Sequence, residues 1–443
     1  MITTIKIKKG LDLPLGGDAE RQVVDARSID RYAVKPTDLV GFTPRLCVAV
    51  GDTVSAGQPL VVDKADQRLF LPSPVDGVVD DIVRGEKRKL LEVIVSRQTS
   101  QTSPSSPTRP TRLTHDSPCW WMLRERPFGT VANPDHTPKA VFVSLRDTNP
   151  LAPDLDFVLK GHDHEFDAGV AALEALAPVR LVRAEGPHPA GNIGTIVAAL
   201  DPINKGECIW HVGAQDVVTI GRWMLTGLYR PERTVAVGGP AAKAPHYYRV
   251  LCGACLKQIA DAQLMDENYP SLSTFHFPLS TRIISGSPLS GSTVAADGFL
   301  GLYDQQLAFI QEGNRYDFMG WLMPGIKKYS FSRTFLSGIL HDLLPKNFNF
   351  QPSTFNSFNT NLHGSVRPFL FTGQFERVFP FDIYPLQLIK ACIIGDVELQ
   401  EQLGIYEVEP EDFALCEFID PSKTDIQPII REALEVLRKE ATA

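Results

Sequence analysis

Gly186-Pro-His-Pro-Ala-Gly-Asn-Ile-Gly194 follows an apolar run with β character, Val179-Arg-Leu-Val-Arg-Ala184, and precedes a run with helical character, Thr195-Ile-Val-Ala-Ala-Leu200. A glycine-rich loop between a strand and a helix N-terminus is where open α/β domains hold phosphates. The loop departs from that pattern in two ways. Its glycines fall at 186, 191 and 194 rather than as Gly-x-Gly-x-x-Gly, and two prolines remove N–H donors that a phosphate would need. No Gly-Lys-Ser/Thr follows, so it is not a P-loop. Gly186, His188, Gly191 and Gly194 read as the remnant of a cofactor loop, a rigid strand-to-helix turn with a structural histidine.

Around it the pattern is α/β from about Lys139 to Arg233. Ala140–Ser144, Val179–Ala184 and Cys208–Val212 have strand character, whereas Ala168–Leu176 and Val217–Leu228 have helical spacing. Strands alternating with helices predict a parallel, Rossmann-like sheet over residues 113–233. Residues 234–318 carry several strands and one helix (Leu256–Leu264), an α+β pattern suggesting a β-grasp domain. Residues 319–443 are rich in Phe and Asn (Asn347–Phe350, Phe355–Asn359), then end in two helices, Ile383–Gly395 and Ile426–Ala441.

Upstream, residues 37–97 form a compact β unit of short strands. Gly51-Asp-Thr-Val-Ser-Ala-Gly-Gln-Pro-Leu60 and Leu71-Pro-Ser-Pro-Val-Asp-Gly-Val-Val79 resemble the two halves of lipoyl and biotinyl carrier domains, a barrel-sandwich hybrid. Val62-Asp-Lys-Ala65 is similar to the lipoylated turn, but the chain before Lys64 is shorter than a carrier hairpin, so the fold is expected without the modification. Residues 1–36, with Lys6, Lys8, Lys9 and several Gly and Pro, read as an exposed segment. Gln98–Arg112 contains no apolar residue and reads as a disordered linker.

The 443 residues suit about three domains. Hydrophobic residues are 43% and charged residues 22%, an ordinary globular balance. A net charge of −8 excludes a broad nucleic-acid-binding surface. No run approaches the roughly 20 apolar residues needed to span a bilayer. Seven scattered cysteines and the lack of a leader pattern in Met1–Lys6 suggest a reducing compartment. Cys252-Gly-Ala-Cys255 has the spacing of half a zinc site or of a redox dithiol. The nearest histidines, His246 and His276, form no second pair, so spectator cysteines and no metal are expected. In Glu409-Pro-Glu-Asp-Phe-Ala-Leu-Cys-Glu-Phe-Ile-Asp-Pro-Ser-Lys423, Cys416 and Asp420 stand where two ligands of a ferredoxin-type cluster would be. The other thiols are absent, and one thiolate cannot hold a cluster.

Several segments in order resemble the family formed by the A subunit of the sodium-translocating NADH:quinone reductase, the Nqr complex. They are Lys8-Lys-Gly-Leu-Asp-Leu-Pro14, Arg126-Pro-Phe128, Asp147-Thr-Asn-Pro-Leu-Ala152, Gly186–Gly191, Ile284-Ser-Gly-Ser287, Gly320-Trp-Leu-Met-Pro-Gly325, Ser332-Arg-Thr-Phe-Leu336, Glu376-Arg-Val378 and Ala414-Leu-Cys416. The resemblance implies a multidomain protein: a barrel-sandwich domain, a Rossmann-like domain, an SLBB-like β-grasp domain and a helical end. It implies a peripheral location on the cytoplasmic face of the bacterial inner membrane, in a complex that oxidises NADH, reduces ubiquinone and exports Na⁺. The isolated chain is not expected to be catalytic. The partners implied are the other five components of the complex, B to F, chief among them the membrane component B. FAD, FMN, riboflavin and iron–sulfur centres are expected in those partners and none here. Family members carry a second cysteine where Asp420 stands, so no cysteine-pair role carries over.

Ubiquinone is the ligand the resemblance implies, and Cys119-Trp-Trp-Met-Leu-Arg-Glu-Arg-Pro-Phe128 suits it: aromatics pack on a quinone ring and an Arg can bond its carbonyl. Trp121, Arg124, Arg126 and Phe128 are the candidates, and an amphipathic core helix ending at Pro127 is the competing reading. Other functional readings are a free-standing flavin or nicotinamide oxidoreductase using the Gly186 loop, an acyl carrier using Lys64, and a structural adaptor of the complex.

Overall fold

A computed structural model describes residues 2–98, 109–264, 280–313, 358–370 and 373–442, with scattered positions between 319 and 336. The linker core 99–108, His276, Trp321, Ser332–Thr334 and Asn347–Phe350 lie outside the described residues. Four sheets are present among those described.

The central sheet has six strands, in the order Ile2–Lys6, Val179–Glu185, Val141–Ser144, Ile209–His211, Arg124–Arg126 and Thr130–Val131. The first four run parallel, and Arg124–Arg126 pairs antiparallel with both of its neighbours. Val141, Phe142, Val143, Val182, Ala184 and Ile209 are fully buried. Such apolar runs are what a sheet covered on both faces requires. Helices Asp163–Glu174 and Ala214–Thr226 pack closely. Gly221 permits it, because a Cβ there would collide with the Glu165 carbonyl oxygen.

A second, mixed six-stranded sheet runs Ser292–Val294, Thr281–Ser285, Gln306–Gln311, Glu232–Gly238, His246–Leu251 and Glu20–Asp25, accompanied by the helix Lys257–Gln263. The barrel-sandwich unit consists of two small sheets. One is Arg31–Val34, Leu90–Arg97, Gly77–Arg84 and Thr53–Val54; the other is Pro44–Leu46, Pro59–Asp63 and Phe70–Pro72. Its core, including Leu60, Val61, Leu71, Val79 and Val93, is continuous with that of the central sheet through Trp120, Trp121 and Met122.

The N-terminal segment corrects its expectation as an exposed loop. It supplies one strand each to the central sheet, the mixed sheet and the barrel. The lysines mislead because an edge strand can leave polar side chains in water while its backbone pairs. The C-terminal region has its own core around Phe375, Phe379, Phe413, Ile430 and Leu434. It holds helices Pro385–Ile394, Val397–Gln402, Ala414–Ile419 and Ile426–Thr442, more than the two expected, because the additional helices are only six residues each. No helix among the described residues is long and apolar enough to cross a membrane.

Candidate functional site

The Gly186–Gly194 loop joins strand Val179–Glu185 to helix Ile193–Leu200, as the sequence predicts. Protein takes up the space that each of its glycines leaves. A Cβ at Gly186, where φ is +139°, would strike the Ile7 carbonyl oxygen, and one at Gly191 would strike that of Arg146. At Gly194 it would strike the Asp412 carboxylate and the Arg126 guanidinium. Gly194 is the second residue of its helix, whose N-cap Asn192 makes no side-chain capping bond. The position where a bound phosphate would sit therefore faces a carboxylate of the C-terminal region. A carboxylate is the charge that a helix N-terminus favours.

His188 is 1% exposed. Its backbone N–H donates to Asp12 Oδ1 (2.9 Å), its carbonyl accepts from Leu11 N (2.7 Å), and its Nδ1 lies 3.5 Å from Thr148 Oγ1. Burial lowers its pKa to about 4. It bonds to the N-terminal segment and the Asp147–Ala152 loop.

Arg126 joins the candidate quinone stretch to the loop. It is 1% exposed, and its Nη2 donates to Asp412 Oδ2 at 2.7 Å. Its Nε lies 3.1 Å from Glu409 Oε1, and Nη2 lies 3.9 Å from Glu411 Oε1. Burial opposes the charge, but the three carboxylates outweigh it and keep the guanidinium protonated. Glu409 and Asp412 close a reciprocal capping box around Pro410–Phe413. Burial, then the like charges of Asp412 and Glu409, push the Glu411 carboxyl up to about 7.

The other three candidates divide between two places. Trp121 is buried; its Nε1 donates to the Tyr229 hydroxyl (3.2 Å), and its ring lies 5.5 Å from that of Tyr303. Arg124 stacks on the Tyr303 ring at 4.5 Å. Phe128 instead packs against the C-terminal core, edge-on to Tyr406 at 6.3 Å, and its carbonyl accepts from Arg431 (2.8 Å). The stretch is not a helix. Trp120–Met122 is one 3₁₀ turn and Arg124–Arg126 is a strand. Arg124 and Arg126 therefore share one face, with Glu125 on the other.

Sequence reasoning missed Tyr303, Glu409 and Asp412. The available signal was Glu409-Pro-Glu-Asp412, three acids in four residues in a capping-box pattern, which calls for a cation from elsewhere.

The remaining sequence candidates find simple roles. Cys252 is 4% exposed and burial pushes its thiol up to about 11, the reverse of what a redox dithiol needs. Cys416 is fully buried, and burial raises its thiol too. Asp420 accepts from the Ser422 (3.1 Å) and Thr424 (3.0 Å) backbone N–H groups, ending the helix before it. Lys64 is exposed beside Asp63, whose carboxylate accepts from Thr43 N and Ala65 N at 3.1 Å each.

Comparison with known proteins agrees with this architecture. Residues 5–98 match the model of the NqrA N-terminal barrel-sandwich hybrid domain, and 111–185 with 173–229 match that of the NqrA second alpha/beta domain. A Pseudomonas aeruginosa protein described as the A subunit of the Na(+)-translocating NADH-quinone reductase is 35% identical over 98% of this chain and 100% of its own length. The chain belongs to the NqrA family. NqrA proteins with the same description from Rhodopirellula baltica and Neisseria meningitidis are each 34% identical over 98% of this chain, covering 98% and 100% of theirs. The barrel-sandwich and second α/β domains described above are those of NqrA. An NAD⁺-reducing [NiFe]-hydrogenase chain aligns over 40% of this chain and 41% of its own, at 10% identity and a TM-score of 0.29, too distant to bear on the fold.

Proposed function

We propose that the chain is the peripheral NqrA component of a Na⁺-pumping NADH:ubiquinone oxidoreductase. It supports electron transfer to ubiquinone coupled to Na⁺ export and holds no iron–sulfur cluster of its own. The observation that carries this reading is the full-length match to NqrA proteins, 35% identical over 98% of the chain. The filled glycine loop and the buried Cys416 support a role without a resident nucleotide or cluster. The other components, B to F, supply FAD, FMN, riboflavin and iron–sulfur centres. At the cytoplasmic face of the inner membrane, the chain docks on the membrane component B. The mixed sheet with its single helix supports the SLBB-like β-grasp reading of residues 234–318, and the parallel strand order supports the Rossmann-like reading of 113–233.

Among the four quinone candidates, Arg124 and Phe128 are partly exposed, whereas Trp121 and Arg126 are buried beneath them. Because Arg124 and Phe128 lie at separate places, the ring is expected to meet Arg124 beside Tyr303 and Trp121, with Arg126 and Phe128 anchoring the strand to the C-terminal region. The test is to delete the gene in its bacterium and assay Na⁺-stimulated quinone reduction by NADH in membranes. Activity should vanish and return with the wild-type chain. Undiminished activity in the deletion strain would overturn the assignment. Quinone titration of the complex with Arg124→Ala tests the contact: an unchanged affinity would remove Arg124 from it.

A further inference from the structure

Glu125 points to the opposite face of its strand from Arg124 and Arg126. It is 5% exposed. Its Oε2 accepts from Trp210 Nε1 (2.9 Å) and Asn133 N (3.2 Å), which fix the carboxylate, and its Oε1 faces His136 Nδ1 at 2.8 Å. His136 comes from a tight turn in which Asn133 Oδ1 accepts from Asp135 N and the Asn133 carbonyl accepts from His136 N. Cys208 immediately precedes the strand Ile209–His211, and its carbonyl accepts from Lys139 N (2.9 Å). The donor atoms of Glu125, His136 and Cys208 all lie within 4.8 Å of one another.

We propose that Glu125, His136 and Cys208 bind one Zn²⁺ ion, with the fourth position open to water. One oxygen, one nitrogen and one sulfur donor suit a borderline cation, and the thiolate disfavours Mg²⁺ or Ca²⁺. Zinc bonds of about 2.0–2.3 Å place tetrahedral donors roughly 3.3–3.8 Å apart, so side-chain shifts of about 1 Å complete the set. The hydrogen bonds from Trp210 and Asn133 to Glu125 supply the outer shell that orients a metal-bound carboxylate. The half-exposed His136 provides the entry path. Binding releases the proton of the Cys208 thiol, with no change of oxidation state. The three residues are 11 and 72 positions apart in sequence, so no short spacing motif announces them. The ion would fasten the turn carrying His136 to the central sheet, away from the Arg126 cluster.

The test uses the full chain, stripped with a chelator and titrated with Co²⁺. Expected are one equivalent bound, a thiolate-to-cobalt charge-transfer band, and its displacement by Zn²⁺. Cys208→Ser should abolish the band, and His136→Gln should weaken Zn²⁺ binding by more than the roughly 10–100-fold typical of outer-shell changes. In the unmutated chain, Zn²⁺ should slow alkylation of Cys208 located by mass mapping, a readout that no folding defect can mimic. A missing band, a band unchanged in Cys208→Ser, or unaltered Cys208 alkylation would each overturn the proposal.

Discussion

Two buried arginine–carboxylate pairs close the central α/β domain, and they are built differently. Arg233 pairs with Asp216 in the first turn of the helix Ala214–Thr226, and also donates to the Leu302 carbonyl (2.8 Å). Arg126 pairs with Asp412 at the helix Ile193–Leu200, with Glu409 and Glu411 beside it. Both arginines are 1% exposed. The first pair has one contacting carboxylate, Asp216, with the buried Asp304 carboxyl near by, whereas the second places three acids around one cation. Burial raises the Asp216 carboxyl too, but the Arg233 guanidinium beside it opposes that rise. A surplus of carboxylates stores repulsion that a proton can relieve. The C-terminal region is thus joined to the α/β domain by the contact more responsive to pH.

The largest effect should come from breaking either pair. Arg233→Ala strands a buried Asp216, and denaturant unfolding should show a loss of about 3–5 kcal/mol. Arg126→Ala should cost a similar amount at pH 8 but markedly less at pH 6, where its carboxyls can take up protons. Equal pH dependence in the two variants would abolish the contrast. Gly194→Ala should cost about 1–3 kcal/mol by overpacking against Asp412 and Arg126. In a double-mutant cycle, Asp412→Ala should relieve part of that cost, and strict additivity would mean that the two do not touch.

His188 sharpens the picture of the loop. Its folded pKa of about 4 lies below the ordinary 6.5, so the unfolded chain binds the extra proton between these values. Stability should therefore fall as pH drops from 6.5 towards 4, by about 1 kcal/mol near pH 5.5. His188→Gln should remove that slope. The smallest effect is expected from Glu411→Gln, because the Glu411 side chain is 37% exposed and solvent screens the repulsion around it. A carboxyl raised to about 7 from 4.5 costs stability as pH rises through that window. The variant should melt a few degrees higher than the wild type at pH 8 and no higher at pH 5.

The strand–loop–helix around Gly186 was legible because apolar runs and glycine punctuation are local signals. The carrier-like turns at Gly51–Leu60 and Leu71–Val79 were legible for the same reason. Arg126 was marked in sequence as an arginine among aromatics that could bond a quinone carbonyl, but its partners lie some 280 residues away, at Glu409–Asp412. No periodicity reaches that far. The Trp120–Met122 turn was hidden because three apolar residues in a row fit a helix and a 3₁₀ turn equally well. Composition misread the N-terminal strands for a different reason: their stability comes from edges completed later in the chain.

Those strands also set a timetable. Ile2–Lys6 pairs with Val179–Glu185, and Glu20–Asp25 with His246–Leu251. At the usual synthesis rate of roughly 5–20 residues per second, the first strand waits on the order of 10–35 s for its neighbour, and the second longer. Both segments therefore leave the ribosome before their pairing partners exist, and their mostly polar, exposed side chains suit that wait in water.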